Sequence, residues 1–252
     1  MTFLQWRSLV SLALVGASFA PLGAAAPVAP DWLSVVGLYP QPGTVTAQSE
    51  LAIMLWLQGS RTDQDVARAR SEATPSFGCF ASAIHPGGNA LAAPGPIEIG
   101  NFPRTAALLD QARADVTPLL ESLGNTFLRP LPYQSFPALT PVLAEPAPFS
   151  YPSVHATLGV LFARILDQFD PDDQVAIGAT GHLLGTDRVL GGVHYPSDVE
   201  AGQRLGNAFA TWWIDQPEHL QLFQAACGEW HRQEPIRDVS PSLPPAKSPD
   251  TL

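Results

Sequence analysis

Three short segments of this chain bring together side chains that can hold an oxyanion and take a group from it. Arg129-Pro130 offers a guanidinium just past a helical stretch. In Tyr151-Pro152-Ser153-Val154-His155-Ala156-Thr157, Ser153 stands where a helix N-cap is expected and His155 falls in the first turn. The backbone N–H groups of such a turn, Val154 among them, point at whatever lies beyond the helix end, and the helix dipole favours negative charge there. Arg188-x5-His194-x3-Asp198 adds a second guanidinium, a second imidazole and a carboxylate. A carboxylate four residues past a histidine can accept its Nδ1 proton, which fixes the tautomer and leaves Nε2 free to attack or bind. Each residue alone has an ordinary structural use, as a salt bridge, a cap or a satisfied polar group. Their combination argues for a site.

The elements that must position them are helical. Pro27, Pro30, Pro40 and Pro42 make residues 26–47 an extended arm. Leu51, Met54, Leu55 and Gln58 then fall on one helix face ended by Gly59, and Thr62 is the expected N-cap of a helix through Ala73. Residues 74–100, rich in Gly, Pro and Ala, read as a long loop or a set of short turns. From Pro103, the spacing of Leu108/Leu109, Ala112, Val116 and Leu119/Leu120 predicts an amphipathic helix. Seven prolines between Pro130 and Pro152 exclude regular structure there. Helical periodicity returns over 154–169, 173–184 and 198–214, with a last helix over 217–230, and no segment alternates as a strand does. The expected class is all-α. His182 matches no motif, His85, His219 and His231 read as surface residues, and Trp212-Trp213 read as packing.

Composition bounds the partners. The chain has 252 residues, with 13 Lys+Arg against 23 Asp+Glu and a net charge of −10, which excludes the broad basic face of a nucleic-acid binder. Lys247 is the only lysine, so an anion site must be built from arginine, histidine and backbone. Met1–Arg7, an apolar run over 8–20 and the small residues of Pro21-Leu22-Gly23-Ala24-Ala25-Ala26 have the layout of a secretory signal, with cleavage expected after Ala25. The run is too short and too interrupted for stable membrane insertion. The expected domains are a signal over 1–25, one helical domain over 26–232, and a Pro/Ser-rich disordered tail over 233–252. In an exported protein Cys79 and Cys227 fit either one long-range disulfide or two free thiols. No Cys/His cluster suggests a metal.

In order and spacing the three segments resemble the tripartite signature of the type 2 phosphatidic acid phosphatase superfamily: Lys-x6-Arg-Pro, Pro-Ser-Gly-His, and Ser-Arg-x5-His-x3-Asp. The likeness to bacterial class A non-specific acid phosphatases extends to Gly192-Val193-His194 and Ser197-Asp198-Val199-Glu200-Ala201-Gly202, and more weakly over Ser49–Ala73. The resemblance implies an α-helical bundle of the acid phosphatase/vanadium haloperoxidase type with the site at helix ends. It implies a periplasmic or secreted acid phosphatase acting on small phosphorylated substrates, without metal or cofactor. His194 would be the nucleophile, oriented by Asp198, and His155 the general acid and then base. Arg129, Arg188, Ser153 and the Val154 N–H would bind phosphate. An acid optimum follows if His155 must be protonated while His194 is neutral, a combination available near or below ~6.5. Three positions depart from the pattern: Ser122 replaces the lysine, Val154 the glycine, and Asp187 the serine before Arg188. The same residues are compatible with a catalytically weakened oxyanion-binding protein and with a vanadate-dependent haloperoxidase-like enzyme, for which vanadate would be a prosthetic group rather than an inhibitor. Oligomeric state is not encoded in these features.

Overall fold

A computed structural model describes residues 27–85, 97–144 and 148–233, with the side chains of 231–233 excepted. The expected signal segment, His231's side chain and all of the expected tail but Gln233 lie outside the described residues. The order of helices is α1 Trp32–Val36, α2 Val45–Ser60, α3 Asp63–Ser71, α4 Pro103–Phe127, α5 Pro132–Ser135, α6 Val154–Leu166, α7 Gln174–Leu190, α8 Pro196–Ile214 and α9 Leu220–Gln233, joined by short 3₁₀ turns. Among the described residues there is no strand, so the all-α expectation holds.

Helix α6 is the axis of the bundle. Every residue from His155 to Leu166 except Arg164 is buried, so this helix is apolar nearly all round and must be enclosed. It packs between α7 and α8, and small residues set the spacing. Gly159 of α6 faces Gly181 of α7 backbone to backbone, while Gly202 and Gly206 of α8 lie against the Ser153 and Thr157 carbonyls. Leu108, Leu109, Ala112 and Val116 of α4 join Leu158, Leu161, Phe162 and Ile165 of α6, and Leu205, Phe209 and Trp213 of α8, in one core. Burying each such large side chain contributes about 1.5–3 kcal/mol.

Local chemistry sets the boundaries. Thr62 and Asp65 form a reciprocal capping box at the start of α3. Pro103 occupies the first turn of α4, Pro118 sits on its solvent face, and Leu128 ends it in a left-handed conformation with φ 49°. Three expectations change. The proline-rich arm contains α1, because Asp31 Oδ1 accepts from the N–H groups of Leu33 and Ser34, at 3.2 and 3.4 Å, and Gly37 stops the turn at φ 69°. Residues 130–152 contain the single turn α5, started by Pro132. Helix α7 runs on past Leu184 to Leu190, so Arg188 is helical rather than in a loop.

The close approach of α8 to α6 yields a prediction. A Cβ added at Gly202 would lie 2.5 Å from the Ser153 carbonyl oxygen and 3.0 Å from the Ala156 Cβ. Gly202→Ala should therefore lower stability by about 1–3 kcal/mol, although alanine is the better helix former. Thermal unfolding measures this, and an unchanged or higher Tm would contradict the packing account.

Candidate active site

The start of α6, the end of α7 and the start of α8 converge, and with them His155, Arg188, His194 and Asp198. His194 is only 1% exposed. Its Nδ1 lies 2.8 Å from the Ser150 carbonyl oxygen and 3.5 Å from Asp198 Oδ2. A carbonyl can only accept, so Nδ1 carries the hydrogen and Nε2 keeps its lone pair. The expected tautomer is set, with the Ser150 backbone as the nearer partner and the carboxylate behind it. Asp198 Oδ2 also caps its helix by accepting from the Tyr195 N–H at 2.7 Å.

Arg129 is tied to carboxylates on two helices. Its Nη1 donates to Asp198 Oδ1 at 2.5 Å and to Ser197 Oγ at 2.8 Å, and its Nη2 donates to Glu50 Oε2 at 3.0 Å. The guanidinium lies over the Tyr195 ring at 3.8 Å and over Tyr39 at 4.7 Å. Both carboxylates and the arginine are buried. Two carboxylates accept from this guanidinium, so in this arrangement it holds Asp198 and Glu50.

On the other side, the last turn of α3 reaches across to α6 and α7. The Ala73 carbonyl oxygen is 3.1 Å from His155 Nε2, and the Ala69 carbonyl accepts from Arg188 Nη2. Arg68 forks onto Asp187, its Nε to Oδ2 at 2.8 Å and its Nη2 to Oδ1 at 2.8 Å. Glu72 joins this group. Burial pushes its carboxyl up to about 7, helped by the charge of Asp187 and a hydrogen bond shared with it, and opposed by Arg188 and Arg68. Ser153 caps α6, its Oγ accepting from the Ala156 N–H at 3.4 Å, and its own N–H donates to the Asp198 carbonyl at 3.0 Å. Val154 follows as the first helical residue.

Of the residues singled out from sequence, His155, Ser153, Val154, Arg188, His194 and Asp198 lie at these converging ends, and Arg129 is tied to Asp198. Ser122 is on the exposed face of α4. Tyr195 and Tyr151 are buried, the latter donating to the Val36 carbonyl at 2.6 Å. Cys79 and Cys227 are free thiols. His182 is exposed, and two of the histidines expected at the surface are not surface residues. His85 Nδ1 is 3.2 Å from Asp173, and His219 is buried with its ring stacked on Trp213 at 3.9 Å. Four contributors were not singled out: Glu50, Arg68, Glu72 and the Ser150 carbonyl. Glu50 had a legible signal, since it shares the buried i, i+4 stripe of Met54.

No model of a known protein family matches the chain. Over 81 residues, 32% of this chain, it is 33% identical to a non-specific acid phosphatase of Providencia stuartii. Over 74 residues, 29% of the chain, it is 42% identical to a lipid A 1-phosphatase of Rhizobium etli. These matches span only about a third of each relative, 33% and 32%. The names are consistent with a member of the type 2 phosphatidic acid phosphatase superfamily. A crystal structure of a transmembrane PAP2-type phosphatidylglycerolphosphate phosphatase from Bacillus subtilis is similar over 82% of this chain and 95% of its own, at a TM-score of 0.48 and 20% identity.

Two outcomes follow from the charges. Arg129→Met leaves Glu50 and Asp198 buried without their cation and should cost about 3–5 kcal/mol in denaturant unfolding; a loss below 1 kcal/mol would show that the pair is not mutually dependent. Glu72 has a folded value above its ordinary 4.5, so its contribution to stability is complete below that pH and is lost as pH rises through about 7. Glu72→Gln should match the wild type near pH 4.5 and exceed its Tm by roughly 2–4 °C at pH 8. A difference that does not change with pH would remove Glu72 from the account.

Proposed function

We propose that this chain is an exported phosphoric monoester hydrolase that works through a phosphohistidine at His194. The observation that carries the reading is the buried His194 with Nδ1–H directed at the Ser150 carbonyl and Asp198 behind it, which leaves Nε2 as the attacking atom. Nε2 attacks phosphorus as the bond to the leaving oxygen breaks, and His155 supplies the proton that oxygen needs. Water then attacks the phosphohistidine, gives its proton to His155 and releases inorganic phosphate with Nε2 restored. Arg188, Ser153 and the Val154 N–H bind the non-bridging oxygens and stabilise the charge of the transition state. Among the described residues no helix is long and apolar enough to cross a membrane. The apolar N-terminal run supports export, and the acid phosphatase relative supports small phosphoesters as substrates.

The decisive measurement is turnover of p-nitrophenyl phosphate by the chain beginning at Ala26, between pH 4 and 8. Vanadate-sensitive hydrolysis is expected, highest below about pH 6.5, where a protonated His155 and a neutral His194 coexist. His194→Ala should lower kcat at least about a thousandfold, in line with the loss of a covalent nucleophile. An acid-labile, base-stable phosphoenzyme should be trapped in the wild type and absent from the variant. Retained turnover in His194→Ala would sink the assignment of the nucleophile.

A further inference from the structure

Helix α7 ends at Leu190, four residues before His194, and the carbonyls at a helix end have no partner within the helix. Two of them are answered from distant parts of the chain. Arg61 Nη1 donates to the Leu190 carbonyl at 3.0 Å, and the Val142 N–H donates to the Gly191 carbonyl at 3.0 Å. Gly192 follows at φ 82°, and a Cβ there would lie 3.2 Å from Pro141 Cα. Residues 138–143 of the proline-rich segment thus lie as a strap across the turn that delivers His194. The corner between α2 and α3 holds this strap through its backbone. Gln58 Nε2 donates to the Ala138 carbonyl at 3.1 Å, and Gln58 Oε1 accepts from the Thr140 N–H at 2.6 Å. Arg61 Nη2 donates to the Thr140 carbonyl at 2.8 Å, and Arg70 Nε to the Val142 carbonyl at 3.2 Å. Pro137 and Pro141 restrict φ and bring no N–H that would need a partner. Leu139 is buried in one cluster with Met54, Val189 and Tyr195.

We propose that Arg61 is a positioning residue for the nucleophile: its guanidinium, forked between the Thr140 and Leu190 carbonyls, fixes the 191–194 turn and with it the place of His194. The inference rests on His194 being the attacking group, as in the function proposed above. One planar group bonds the strap and the end of α7 together, and its positive charge suits a helix C-terminus. A lysine could reach one of the two carbonyls but could not fork. Loss of the fork leaves Ser153 and the Val154 N–H of α6 in place, so the effect falls on the chemical step more than on binding. A displacement of about 1 Å at a reacting atom can cost ~100-fold in rate.

The test compares Arg61→Ala with the wild type by p-nitrophenyl phosphate kinetics at about pH 5.5 and by amide hydrogen exchange. In the variant kcat should fall at least about tenfold with KM within about threefold. Exchange should quicken at Thr140, Val142 and 191–194 but not in α4 or α6, and guanidinium ion well below denaturing concentrations should restore part of kcat. Arg61→Lys should fall between. A wild-type kcat in Arg61→Ala overturns the proposal. So does a fall in kcat that comes with faster exchange throughout the bundle and no rescue by guanidinium, the mark of a merely structural role. If Arg61→Ala does not fold, Gln58→Ala, which loosens the strap alone, decides: a kcat lowered about threefold or more at unchanged KM supports the proposal, and a wild-type kcat overturns it. A wild type without turnover defeats the catalytic reading, and the fork is then judged by exchange at Val193 and His194, whose N–H groups lie 3.1 and 3.4 Å from the Arg188 carbonyl. Faster exchange there in Arg61→Ala shows that the fork holds the turn; unchanged exchange overturns it.

Discussion

The buried ion cluster of Arg129, Glu50 and Asp198 is the constraint on which the rest of the structure turns. It joins α2, the segment after α4 and the first turn of α8 through one guanidinium, between the rings of Tyr39 and Tyr195. Buried charges are tolerable only when their hydrogen bonds are made, and here they are: Glu50 also accepts from the Ser197 N–H at 2.7 Å, and Asp198 also accepts from Tyr195. Each member is thereby fixed in direction. Asp198 cannot turn without breaking its cap, its arginine pair or its approach to His194, so the orientation of the imidazole is inherited from a fold-level interaction.

The close packing of α6 serves the same end. Gly202 and Gly206 let α8 lie against the carbonyls of α6, and this brings the N-terminus of α8, with Asp198, beside the N-terminus of α6, with Ser153 and His155. The bond from the Ser153 N–H to the Asp198 carbonyl, 3.0 Å, joins the two helix starts directly.

Much of this was legible in the sequence, for identifiable reasons. Long helices with strong apolar periodicity, such as α4 and α8, are read from burial alone, and Thr62 and Ser153 mark helix starts because their side chains do one local job. The short helix α1 was hidden by flanking prolines, since its start depends on Asp31 rather than on periodicity. His155, Arg188, His194 and Asp198 were recognised because their spacing is local to two motifs. The partners that define their states were not. Ser150 acts through a backbone carbonyl, which has no residue signature, and Arg68 lies 119 positions from the carboxylate it binds. Long-range pairing is a property of packing, and a single sequence encodes it only through the fold.

The two motif arginines show why identity alone does not assign a role. Both are buried and both neighbour an aspartate. Arg129 meets two carboxylates, Glu50 and Asp198, and holds both. Beside Arg188, Asp187 is bound by Arg68, and burial, with the charge of Asp187, pushes the carboxyl of Glu72 up to about 7. Position 122, where the motif has its lysine, faces solvent on α4, and the aspartate before Arg188 is answered from α3, whose Arg68 occupies both of its oxygens.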